Sequence, residues 1–170
     1  MQRFINPNPD QWKALAQRGS ASYTSLEPLA KEVFDNVAQY GDQALMNYTE
    51  KFDKVKLKDF SVSTEEIEDA KARVPEKLKL AIRKAKDNIY RFHMAQKTNE
   101  VNVETQKGVN CWQKKLPIEK VGLYIPGGSA PLFSTILMLA IPAQVAGCSE
   151  VVMCSPPNSN AMLPDVILYT

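Results

Sequence analysis

The apolar and polar positions divide the chain into a helical first part and a strand-bearing remainder. In the first hundred residues, apolar side chains recur at steps of three and four, the spacing of one helix face. Trp12 and Leu15 fit a short helix that Asp10 would cap. Leu26, Leu29, Val33, Phe34 and Val37 form one face of a longer helix, with Ser25 as its cap and Gly41 at its end. Ala44, Leu45, Tyr48 and Phe52 fall on a third helix. Ser63 and Glu66 precede Ile67 and Ala70 with the spacing of a capping box, in which each residue satisfies an amide of the other. Pro75 stands near the start of the longest helix, which would bury Leu78, Ile82, Ala85, Ile89 and Phe92 and run to about Gln96.

Beyond this point the period shortens. Val101 to Leu116 is β-branched and alternating, which predicts a strand or hairpin with Gly108 at its turn. Val121 to Ile125 reads as a short buried strand, broken by Pro126, Gly127 and Gly128. Ser134 to Ala146 is apolar throughout and suits a buried helix, with Gly147 placed to end it. Val151 to Cys154 is a second short strand, stopped by Pro156 and Pro157. Strand, loop, helix and strand make a βαβ unit, which favours a right-handed crossover and a parallel sheet. Asn158 to Thr170 begins another helix through Met162, Val166, Leu168 and Tyr169.

The predicted fold is therefore α/β. A mainly helical region over residues 1–107 packs on the first βαβ unit of an incomplete, Rossmann-like parallel sheet over residues 108–170. A sheet of this kind normally has several strands and helices on both faces. Only two parallel strands are legible, and their unpaired edges point to further sequence or a partner chain.

Composition narrows the function classes. A hydrophobic share of 44% and a charged share of 24% are ordinary for a soluble globular protein. The net charge of +2, with basic and acidic residues interleaved, argues against a nucleic-acid partner. The start, MQRFINPNPDQW, lacks the apolar core of a signal peptide. The longest apolar run, Ile136 to Ala143, is far short of the ~20 residues that cross a bilayer, so no membrane partner is expected. Cys111, Cys148 and Cys154 are odd in number and lack CxxC spacing, which fits reduced thiols in a cytoplasmic protein.

Ligands of parallel sheets bind beyond the carboxyl ends of the strands, where Tyr124 and Gly127–Gly128 fall. The segment PGGSAP follows a strand and precedes a helix, so its amides can approach a phosphate or ribose. It is not GxGxxG and lacks the Lys-Ser/Thr pair of a P-loop. Taken alone, it fits a tight strand-to-helix turn better than a cofactor contact, and Tyr124 fits a half-buried aromatic at a strand end. A cysteine nucleophile would need a lowered pKa from a cation or a helix N-terminus. Cys148 follows a helix C-terminus and Cys154 sits among apolar neighbours, so both read as packing residues. His93 is the only histidine and cannot build a zinc site alone; a hydrogen-bonding role near the helix end suits it better than catalysis. Glu65, Glu66, Glu68 and Asp69 are explained by the start of a capped helix.

The segments GLYIPGG, APLFSTILMLAIPAQVAGC and VVMCSPP closely resemble histidinol dehydrogenase. YGDQAL, EKFD, RFHMAQK and VETQKGV fit the same family, and the resemblance is weakest at the start of the chain. It implies the N-terminal part of a cytoplasmic, homodimeric, zinc-dependent enzyme of histidine biosynthesis. Such enzymes oxidise L-histidinol to L-histidine through the aldehyde in two NAD-linked steps. The family's dinucleotide-contacting tyrosine matches Tyr124. Its zinc ligands, its Glu–His base pair, and the Gln and Asn that complete the dinucleotide site belong to a later part of the chain. The resemblance thus assigns NAD contact to Tyr124 and no catalytic or metal-binding residue to this chain, which alone is expected to be inactive. The competing expectation is a non-catalytic domain that associates with itself or a partner. An unrelated nucleotide-binding βαβ protein is a third.

Overall fold

The structure, a computed structural model, describes residues 3–17, 23–24, 26–127 and 131–170. By internal packing the chain divides into two compact units, Met1–Leu45 and Met46–Thr170. This division by contact differs from the division at 107/108, which separates helical from strand-bearing sequence.

The first unit holds α1 (Pro9–Ala16), α2 (Glu27–Tyr40) and the start of α3 (Asp42–Asp53). The cap of α1 is Asn8 rather than Asp10. Pro9 presets the first helical φ, and the Asn8 amide donates to Gln11 Oε1 at 3.1 Å. Asp10 lies in the first turn, where its charge suits the helix dipole. Ser25 lies outside the described residues; Leu26 occupies the N-cap of α2. The apolar stripe of α2 is not buried, and Phe34 is 77% exposed. Gly41 ends α2 as expected, with φ of 55° and its amide on the Val37 carbonyl at 2.9 Å.

The second unit carries the remaining elements: α4 (Thr64–Arg73), α5 (Glu76–Ala95), β1 (Val101–Gln106), β2 (Val109–Gln113), β3 (Lys120–Tyr124), α6 (Phe133–Ala146), β4 (Glu150–Cys154) and α7 (Asp165–Tyr169). The capping box of α4 forms: Glu66 donates its amide to Ser63 Oγ at 3.1 Å, and Glu66 Oε2 accepts from the Ser63 amide at 2.8 Å. β1 and β2 pair antiparallel around Lys107 and Gly108, with Gly108 at φ of 83° and Thr105 bulged out of the ladder.

The sequence places α6 correctly because the helix is apolar all round, as a buried helix is. Its Leu137 and Ile141 meet Ile82 of α5, with Leu78, Ala85 and Ile89 around them. Its Ile136 meets Ile125 and Ile167 of the neighbouring segments. Each fully buried side chain of this kind contributes about 1.5–3 kcal/mol. Phe92 does not join the core but is 64% exposed. The step of four from Ile89 brings His93 to the half-buried side instead.

Gly147 ends α6 with φ of 94°. Its amide reaches the Gln144 carbonyl and that of Cys148 reaches Ala143, both at 3.1 Å, which makes a Schellman motif. β3 and β4 then pair in parallel from Lys120↔Glu150 to Tyr124↔Cys154. The last helix starts at Asp165, not Asn158. The Asn158 side chain holds the amides of Asn160 and Met162 in a turn, and Pro164 sets the later start. Arg73 of α4 grips Asp165 through two nitrogens at 2.8–3.1 Å, tying α4 to α7.

Candidate functional site

Alternation along β3 decides what each residue faces. Val121 and Leu123 are half-buried and Ile125 is fully buried, its amide bonded to the Cys154 carbonyl at 2.9 Å. Lys120, Gly122 and Tyr124 take the other face with their register partners Glu150, Val152 and Cys154. That face is open among the described residues: a Cβ added to Gly122 would meet nothing within 4 Å. Lys120 and Glu150 pair across it at 2.8 Å. Tyr124 stands at its carboxyl end, 64% exposed, and is not the half-buried aromatic that the residues alone favoured.

Beyond the carboxyl ends of β3 and β4 lies a cavity of about 130 Å³. Five of its nine lining residues are prolines: Pro126, Pro131, Pro156, Pro157 and Pro164. None of the nine is titratable, so this wall has no group to carry a proton. Prolines also lack amide donors, leaving few to cradle a phosphate. Gly127 contributes the first loop glycine, while Gly128 lies outside the described residues. The wall therefore offers shape and apolar surface rather than reactivity. Sequence reading singled out Gly127, which lines it, and Tyr124, which is not among its lining residues. The prolines went unnoticed as a group because they come from two separate loops.

A larger cavity, about 380 Å³, lies at the opposite, amino-terminal end of the strands, beside Pro117 and Ala146. His93, Lys97 and Lys115 line it, and each is already bonded within the chain. His93 Nδ1 lies 2.8 Å from Gln96 Oε1. Lys97 donates to the Val145 carbonyl at 3.3 Å and Lys115 to Thr98 Oγ1 at 2.5 Å. The cavity is a seam of mixed polar and apolar lining between the end of α5, the segments flanking the hairpin, and α6.

Cys111 is exposed on β2 and Cys148 is half-buried after α6. Cys154 is exposed beside Tyr124, so it is not a packing residue; the open sheet face leaves it nothing to pack against. Among the described residues no cluster of three His, Cys, Asp or Glu side chains can hold a metal ion, so these residues do not fit a zinc site. The carboxylates held below their usual range are structural. Asp59 accepts the Ser61 amide, Glu76 is bonded by Lys79, and Asp165 by Arg73.

Residues 16–170 match the histidinol dehydrogenase family. The chain is 47% identical over 163 residues to a histidinol dehydrogenase from Bacteroides thetaiotaomicron, covering 96% of this chain and 38% of the relative. Identity to the one from Mannheimia succiniciproducens is 50% over 157 residues, covering 92% of this chain and 36% of the relative. The crystal structure of histidinol dehydrogenase from Elizabethkingia anophelis superposes with a TM-score of 0.94 at 48% identity, over 99% of this chain and 39% of that one. The chain thus spans under two-fifths of the length of the relatives it matches. On the strength of this agreement in sequence and fold, the chain belongs to the histidinol dehydrogenase family and corresponds to the N-terminal part of such enzymes.

Proposed function

We propose that this chain forms one wall of the NAD site in an enzyme that oxidises L-histidinol to L-histidine. The observation that carries this reading is Tyr124: a large aromatic left exposed at the carboxyl end of a parallel strand, where ligands of such sheets bind. Its ring offers a face for stacking and its hydroxyl a hydrogen bond. The adjoining proline-lined loops exclude water from one side without offering a competing base.

The overall reaction removes two hydrides and two protons. The alcohol becomes an aldehyde, the aldehyde takes up water, and its hydrate becomes the carboxylic acid. NAD would be the hydride acceptor of each step, with Tyr124 as this chain's contact to it. A zinc ion would supply a Lewis acid toward the substrate, and none of this chain's described residues is assigned as its ligand. A cytoplasmic homodimer is the assembly this reading entails.

The test uses a full-length histidinol dehydrogenase carrying this segment. Tyr124→Ala should raise the KM for NAD about tenfold while changing that for histidinol little, and Tyr124→Phe should fall between Ala and the parent. Unchanged NAD kinetics in the Ala variant, with a large loss of melting temperature, would make Tyr124 a structural aromatic. The open sheet face favours a second reading, a non-catalytic domain that associates through it. Unaltered sedimentation of Val152→Lys in the isolated chain would count against that one.

A further inference from the structure

We infer that Gly127 and Pro156 form a spacing contact that positions the dinucleotide wall, with Gly127 required for room rather than for backbone freedom. The inference rests on the reading of Tyr124 as part of an NAD site. Three described glycines, Gly41, Gly108 and Gly147, adopt positive φ, and Gly127 is not among them. An alanine could take its backbone conformation without strain. What it could not do is fit. A Cβ built on Gly127 would lie 2.6 Å from Pro156 Cγ and 3.7 Å from its Cβ and Cδ. Carbon atoms in contact settle at about 3.5–4.0 Å, so the first of these distances is a collision.

Pro156 has little freedom to yield. Its ring fixes φ, and Pro157 after it restricts its remaining torsion. The loop leaving β3 therefore lies directly on the loop leaving β4, at the strand ends that carry Tyr124 and Cys154. Two loops in contact here fix the distance between the two sides of the proline-lined cavity. An added methyl group would push the first loop away from the second, and Gly127 lies only three residues after Tyr124 in the sequence. Gly127 and Pro156 are positioning residues: neither is assigned a contact with the reacting atoms.

The experiment compares Gly127→Ala, Pro156→Ala and the double variant in the full-length enzyme carrying this segment. Pro156→Ala removes the colliding Cγ while leaving the Cβ at a tolerable distance. We expect Gly127→Ala to raise the KM for NAD about tenfold with the KM for histidinol within twofold of the parent. Pro156→Ala, which loosens the contact, should raise the KM for NAD less than Gly127→Ala does, and the double variant should return to within threefold of Pro156→Ala. A Gly127→Ala protein that fails to fold, but folds as the double variant, supports the contact equally. The inference is overturned if Gly127→Ala keeps the parent's NAD kinetics, or if adding Pro156→Ala to Gly127→Ala restores neither activity nor folding. Tyr124→Ala separates the two layers. If it leaves the KM for NAD unchanged, the dinucleotide does not lie at this edge and both ideas fall. If it raises that KM while Gly127→Ala does not, only the spacing contact is wrong.

Discussion

Two adjacent residues of β3 and its exit show how a single step along a strand separates function from stability. Tyr124 points to the open face, while Ile125 is the one large side chain with no exposed surface at all among the described residues. Ile125→Ala should therefore cost about 2–5 kcal/mol, the range for emptying a packed apolar site. Tyr124→Ala should cost within about 0.5 kcal/mol, as for surface substitutions. Urea denaturation of both variants of the chain checks this, and a Tyr124→Ala loss as large as that of Ile125→Ala would show the ring to be packed. The inward set of this strand was legible because its period is two and Val121, Leu123 and Ile125 are apolar. The exposure of Tyr124 was not, since an aromatic at a strand end serves a core or a ligand equally well.

At the scale of elements, the Arg73–Asp165 grip joins two helices 92 residues apart in sequence. The Arg73 guanidinium holds the Asp165 carboxyl below its usual range. A depressed folded-state pKa gives stability that is complete above the unfolded carboxylate value of about 3.9 and lost as pH falls through the folded value. Both side chains are partly exposed, so solvent screening keeps the effect small. Asp165→Asn should lower the melting temperature by about 1–3 °C at neutral pH. The difference from the parent should shrink below about pH 4 and vanish once pH has fallen through the lowered folded value. A difference that persists unchanged at pH 2 would show that the ion pair is not its source. The helices were mostly readable from their caps and stops: Ser63 with Glu66, Gly41, Pro75 and Gly147 all act as their residue types predict. Readings failed where a local side-chain bond competed with the helix, as with Asn158, or where the apolar stripe ended, as with Phe92; His93 makes the helix-end hydrogen bond expected of it.

For the molecule as a whole, the apolar surface left uncovered by its own elements is the dominant feature. Met138 and Leu139 of α6 and Val152 of β4 are exposed, and among the described residues the two-stranded parallel sheet has both edges unpaired. The isolated chain should therefore self-associate or bind an apolar dye. A monomer at high concentration in sedimentation, with no dye binding, would contradict this. It should also form no NADH from histidinol, with or without added zinc; formation abolished by a chelator and restored by zinc would sink that expectation. At this scale the family was plain from GLYIPGG and the segments after it. The contact between Gly127 and Pro156 was invisible, because it depends on where two loops meet.

The pairing of early helices with late ones has a consequence for how the chain is made. α4 and α5 leave the ribosome before α6 and α7, which cover them, have been synthesised. At roughly 5–20 residues per second, Arg73 waits on the order of 5–20 s for Asp165. During that interval the stripe of Leu78, Ile82 and Ile89 has no native cover from α6. A nascent chain stalled before Phe133 should be held by chaperones more strongly than one extended past Tyr169, as read by chaperone recovery with the stalled ribosomes.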